Sequence, residues 1–172
     1  MNRIARRITA YDEVVEQFIK KCEDNDKFDK WQIDEISKGF NNGLTIDQVK
    51  VYANPKFGSI QMSFIREGFE NGLTMEQVKL YADPEFNGNQ MIEILKGLEN
   101  GLPMEQVKLY ADLKFSVGRM YEIRTGFENG LTMEQIKFYA DPKFNAKQME
   151  QIRKDLEGGM PIEEVKEKED LK

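Results

Sequence analysis

The chain has no histidine and one cysteine, Cys22. An intrachain disulfide is therefore impossible, and the usual zinc sets of Cys and His cannot be assembled. Acid–base and nucleophilic sites built on His are excluded with them. No apolar run approaches the roughly 18 residues of a membrane helix. Basic residues are in deficit, 25 Lys and Arg against 31 Asp and Glu, for a net charge of −6. That balance opposes unaided, charge-driven binding to nucleic acid and suits a basic surface on a partner. The opening Met1-Asn2-Arg3-Ile4-Ala5-Arg6-Arg7 is basic, but no apolar stretch of signal-peptide type follows it. The expected location is the cytoplasm.

What is abundant is repetition. Phe28, Phe57, Phe86, Phe115 and Phe144 each open a similar sentence, 29 residues apart. A fixed period of this size marks a stacked repeat protein. The expected fold is all-α. It is an α-solenoid of five 29-residue helix-turn-helix repeats (28–56, 57–85, 86–114, 115–143, 144–172) with an N-terminal capping helix. Residues 1–27 form the basic lead-in and cap, and residues 28–172 are expected as one continuous domain. In the cap, Tyr11, Val14, Val15, Phe18, Ile19 and Cys22 share one helical face, with Thr9 as N-cap.

Each unit reads as a longer and a shorter helix. Asp29, Gly58, Asn87, Ser116 and Asn145 follow the Phe as N-caps, and Gln32, Gln61, Gln90 and Gln148 come three residues later. Asn-Gly pairs, with Gly158-Gly159 in the last unit, stop the long helix in a left-handed residue. Thr45, Thr74 and Thr132 then cap the short helix, which Asn54-Pro55, Asp83-Pro84 and Asp141-Pro142 end. Pro103 and Pro161 replace the capping Thr in two units. About eleven helices and no sheet are expected.

The last unit departs from the others. Lys168-Glu169 replaces the recurring Tyr-Ala, and Asp155 replaces Gly39, Gly68, Gly97 and Gly126. The expectation is that Tyr and Gly touch the following unit. Turned at 100° per residue, Val51, Leu80, Leu109 and Phe138 fall on the outer side of the short helices, beside Lys50, Lys79, Lys108 and Lys137. This apolar stripe is a candidate partner-binding surface, although packing on a neighbouring repeat explains it too. Two acidic columns accompany it: Glu76 and Glu105 in first turns, where the helix dipole favours them, and Glu70 and Glu99 near the ends of the long helices. No polar constellation stands outside the repeat pattern. The expected function is therefore a non-enzymatic binding module without catalytic residues, metal or cofactor, as monomer or dimer.

Leu73-Thr74-Met75-Glu76-Gln77-Val78 resembles the short helix of a TAL-effector repeat, and the likeness extends over about four-fifths of the chain. It implies a helical repeat that binds duplex DNA, one base per unit. On that reading Lys56, Lys114 and Lys143 in the loops and Arg3, Arg6 and Arg7 in the lead-in contact the nucleic acid. Pro and Phe stand where that family has a Gly pair. The near-identical short repeats also resemble proteins of bacterial mobile elements and phages. That likeness implies an anti-CRISPR-like inhibitor of a host defence nuclease, a partner with a basic nucleic-acid-binding surface.

Overall fold

Helix boundaries follow from capping chemistry repeated at the period of the sequence. The computed structural model describes residues 10–168, and all regular structure among them is α-helical. Eleven helices succeed one another: α1 (Ala10–Glu23), α2 (Lys30–Asn41), α3 (Ile46–Tyr52), α4 (Ser59–Glu70), α5 (Met75–Val78), α6 (Gly88–Glu99), α7 (Met104–Tyr110), α8 (Val117–Glu128), α9 (Met133–Tyr139), α10 (Ala146–Glu157) and α11 (Ile162–Lys168). Thr9 lies outside the described residues.

Capping boxes close reciprocally at Asp29, Thr45, Thr74, Asn87, Thr132 and Asn145. At Asp29, for example, the carboxylate accepts from Gln32 N–H at 2.9 Å while Gln32 Oε1 accepts from Asp29 N–H at 2.7 Å. Two donors left bare at a helix start are satisfied in one step. Gly58 supplies only its N–H, which donates to Gln61 Oε1 at 2.7 Å. Pro103 makes no side-chain cap, yet α7 starts in register, because proline's fixed φ suits a helix entry. Long helices end in Schellman turns: Gly43 has φ +89°, Leu44 N–H donates to Gly39 O, and Gly43 N–H to Phe40 O.

The chain divides into two compact units, Met1–Gly72 and Leu73–Lys172, so the boundary falls inside the second repeat. In the first, α2 packs on α1, α3 and α4, and α3 also touches α4. In the second, α6, α8 and α10 pack side by side in order. There α7 wedges between α6 and α8, α9 between α8 and α10, and α11 closes on α10. Each unit is thus a layer of long helices faced by short ones, which is helical-repeat stacking. The core columns are Met62, Ile65, Met91, Ile94, Met120, Ile123, Met149 and Ile152, all fully buried. α5 is shorter than the two turns that the sequence predicts. Its last bonds tighten to i→i+3, from Leu80 N–H to Gln77 O and from Tyr81 N–H to Val78 O. Residues 75–81 and 104–110 are identical, so what surrounds the segment, and not its own sequence, sets this difference.

The recurring Tyr and Gly meet inside their own unit, and each of three tyrosines also lies within electrostatic reach of the next long helix, through Arg66, Arg124 or Arg153. Tyr52, Tyr110 and Tyr139 are fully buried, and their hydroxyls donate to Glu35 O, Glu93 O and Glu122 O of their own repeat's long helix at 3.4, 3.4 and 3.0 Å. A Cβ added at Gly39 or Gly97 would lie 1.9 Å from the hydroxyl of Tyr52 or Tyr110. The glycine therefore makes room for the tyrosine of its own unit. In the last unit the pair becomes ionic, with Lys168 Nζ 2.6 Å from Asp155 Oδ2.

Candidate functional site: a polar ladder and an exposed apolar groove

Within each unit, an ion-pair and hydrogen-bond cluster joins neighbouring long helices, α2 to α4 in the first and α6 to α8 and α8 to α10 in the second. Arg66 Nε donates to Glu35 Oε2 of the preceding repeat at 2.9 Å and Arg66 Nη1 to Glu70 Oε2 at 2.6 Å. Asn42 Nδ2 donates to the other oxygen of Glu70 at 2.9 Å. Arg124 repeats this with Glu93 (2.9 Å) and Glu128, and Asn100 completes it with Glu128 at 2.8 Å. Arg153 does so with Glu122 (2.8 Å) and Glu157 (2.8 Å), and Asn129 with Glu157 at 2.9 Å. The side chains of Arg124 and Glu93 are each 8 % exposed, so each charge depends on its partner. Desolvation acts to lower the Arg124 pKa, but the bonds to Glu128 and Glu93 outweigh it and hold the guanidinium above its ordinary range. Phe64 and Leu95 stand at the Glu and Arg positions of the ladder, so both charges are replaced together. Glu70 is thereby engaged within the protein, which gives the acidic column near the long-helix ends its physical reason.

The remaining predicted site residues are placed as follows. Val51, Leu80, Leu109 and Phe138 are half-buried, while Lys50, Lys79, Lys108 and Lys137 are exposed beside them. Lys50 Nζ lies 3.3 Å from Asp47, and Lys166 sits 5.6 Å above the Phe138 ring. Glu76, Glu99 and Glu105 are exposed. Of the loop lysines, Lys114 pairs with Asp112 at 2.9 Å and lies 5.0 Å over Phe115, and Lys143 pairs with Asp141 at 3.4 Å and lies 4.8 Å over Phe144. The Lys114 side-chain bond lowers the Asp112 pKa, and the Lys143 backbone N–H does the same for Asp141. Lys56 is exposed, with its N–H donating to Asn54 Oδ1 at 3.1 Å. Arg3, Arg6 and Arg7 lie outside the described residues. Cys22 is buried, and desolvation pushes its thiol pKa up. Among the described residues no group of three Cys, Asp or Glu side chains is arranged to hold a metal ion.

The sequence reading missed a groove on α2 and α4. Trp31 and Ile60 line it, 68 % and 67 % exposed, with Asp34, Glu35, Lys38, Ser59 and Ser63 around them. Its volume is about 150 Å³. Lys38 Nζ lies 2.8 Å from both Asp34 and Glu35 at the edge. A signal was present in the internal comparison. Trp31 and Ile60 occupy the same repeat position, where the other units have Asn89, Gly118 and Lys147. Core columns vary among apolar residues only; this column varies without restraint, as a solvent-facing position does.

The chain matches no protein-family model, no curated protein and no solved structure. No described helix is long and apolar enough to cross a membrane. Fold and groove therefore define a class, an all-α helical-repeat protein.

Proposed function

We propose that this chain is a non-enzymatic protein-binding module whose partner presents a basic, nucleic-acid-binding surface. The observation that carries the reading is the Trp31–Ile60 groove. An exposed Trp beside an exposed Ile, rimmed by the Lys38–Asp34 ion pair, has the composition of an interface anchor: aromatic area to desolvate inside a polar rim. The net charge of −6 and the exposed Glu76, Glu105, Glu134 and Glu163 support a basic partner. Pairing of Lys114 and Lys143 with their own loop aspartates speaks against phosphate contacts by these residues. A host defence nuclease is one partner of the proposed kind.

The test is affinity capture from a bacterial lysate at low and high salt, followed by mass spectrometry. The parent chain is compared with a Trp31→Ala, Ile60→Ser variant, and a gel shift with duplex DNA runs in parallel. The expected result is retention of a basic nucleic-acid-binding protein at low salt, lost in the variant and at high salt. A DNA shift without such a protein, or capture indifferent to the variant, overturns the reading.

A further inference from the structure

The chain contains five Asn-Gly steps, at 42–43, 71–72, 87–88, 100–101 and 129–130. In this dipeptide the glycine nitrogen reaches the preceding side-chain amide with no side chain of its own in the way. Four of the five end long helices, and there the fold holds the reacting groups apart. Gly43, Gly72, Gly101 and Gly130 donate their N–H to Phe40, Phe69, Leu98 and Phe127 O at 3.0, 3.0, 3.1 and 3.0 Å. The preceding asparagines have ψ between 2° and 6°. That angle eclipses the glycine nitrogen with the asparagine's own nitrogen and turns it away from the side chain. Asn42, Asn100 and Asn129 are also tied through Nδ2 to Glu70, Glu128 and Glu157. A carboxylate formed there would face another carboxylate at the negative end of a helix.

Asn87 stands differently. It is the exposed N-cap of α6, and its ψ of 161° swings the Gly88 nitrogen back toward the side chain. Gly88 opens the helix, where an N–H has no intrahelical acceptor. Asn87 Oδ1 accepts from Gln90 N–H at 3.0 Å. That bond draws electrons from Cγ and supports the oxyanion of an attack on it, and the positive end of α6 favours the same charge. Asn145 has the same cap, but Ala146 follows it, and its methyl crowds the approach.

We propose that Asn87 is the Asn-Gly step that deamidates spontaneously in the folded protein. Gly88 N bonds to Asn87 Cγ and gives up its proton, the Cγ–Nδ2 bond breaks, and ammonia leaves with that proton. Water then opens the succinimide at either carbonyl. One product carries aspartate at position 87, which keeps the cap acceptor and adds a negative charge at the helix start. The other carries isoaspartate, whose extra backbone methylene displaces the cap from Gln90. The four steps at helix ends react only from opened turns.

The test is incubation of the full chain at mildly alkaline pH, folded and in urea, with peptide mapping by mass spectrometry and separation of aspartate from isoaspartate. In the folded chain Asn87 is expected to convert about tenfold or more faster than Asn42, Asn71, Asn100 or Asn129, which wait on local opening. In urea the five rates are expected to converge, with both products at each step. Gly88→Ala places at 88 the residue that the last unit has there, Ala146, and should slow conversion at 87 about tenfold with the circular dichroism spectrum unchanged. Equal folded-state rates at the five steps, conversion of Asn87 in urea alone, conversion to aspartate without isoaspartate, or indifference to Gly88→Ala overturns the proposal.

Discussion

Replacing Gly97 by Ala tests how tightly each repeat closes on itself. The new Cβ would lie 1.9 Å from the Tyr110 hydroxyl, far inside the roughly 3.3 Å of even a close C···O contact. Tyr110 is fully buried and cannot swing out without opening the unit. Overpacking of this kind costs about 1–3 kcal/mol, and the upper end applies because the obstacle is a rigid ring. Ala is worth about 1 kcal/mol over Gly inside a helix, so the net loss is about 2 kcal/mol. Tyr110→Phe alone removes a long 3.4 Å bond to Glu93 O, at a cost of roughly 1 kcal/mol or less. In the double variant the hydroxyl is gone, and the nearest ring atom sits at 3.2 Å, a few tenths of an ångström too close. The two changes should therefore couple favourably by about 2 kcal/mol rather than add. Urea midpoints of the four chains, followed by circular dichroism, measure the coupling. The equivalent Gly39→Ala and Tyr52→Phe cycle in the first unit repeats the measurement, with the same 1.9 Å contact. Strict additivity in both cycles would falsify the idea that the glycine exists to admit the hydroxyl.

Further outcomes follow from the same contacts. Arg124→Ala leaves Glu93 without its buried partner and should cost about 3–5 kcal/mol in urea denaturation, whereas Arg124→Leu with Glu93→Phe, the residues that positions 95 and 64 hold, should recover most of it. Equal stability of the single and double variants would show that the stranded Glu93 carboxylate is not the source of the loss. Burial raises the pKa of Tyr52, Tyr110 and Tyr139 above the ordinary tyrosine range, so the native protein keeps protons that the unfolded chain gives up near pH ~10. Their contribution is complete below that pH and is lost as pH rises above it, by roughly 1.4 kcal/mol per pH unit for each tyrosine. Tyrosine absorbance and far-UV circular dichroism should then change together on alkaline titration; ionisation of all the tyrosines near pH ~10 with helicity intact contradicts this. Trp31→Ala should shift stability by no more than about 0.5 kcal/mol, because the ring is mostly in solvent, and a larger loss by thermal melt would make it a packing residue.

Helix boundaries were legible because they rest on local chemistry. Asp29 and Gln32, or Gly43 after Asn42, act within a few residues, and their spacing is visible in the chain. The ladder was not read, because Arg66 and Glu35 are 31 residues apart and each looks like an ordinary surface charge. A trace existed in the joint exchange of Glu for Phe64 and Arg for Leu95. The joint loss of Tyr and Gly in the last unit points to the following repeat, and the contact of the two residues inside one unit is the part it leaves unread. That loss fits a missing following repeat as well as a replaced internal pair, and the position of Lys168 against Asp155 shows the second. Nothing local marks the division after Gly72, since Asn71-Gly72-Leu73 repeats Asn42-Gly43-Leu44. Exposure of Trp31 depends on what α2 leaves uncovered, a tertiary fact that one helix does not encode.

The ladder also governs how this chain can change length. Near-identical repeats invite unequal crossing-over in their coding sequence, which removes one 29-residue period at a time. Excision of 115–143 would bring Glu93 against Arg153 and Asn100 against Glu157, an intact rung. Excision of 57–85 would bring Glu35 against Leu95, stranding a carboxylate that is 8 % exposed with Lys38 as its sole cation. Repeats that look interchangeable are therefore unequal under deletion. Shortened descendants of this gene should lose the fourth period far more readily than the second.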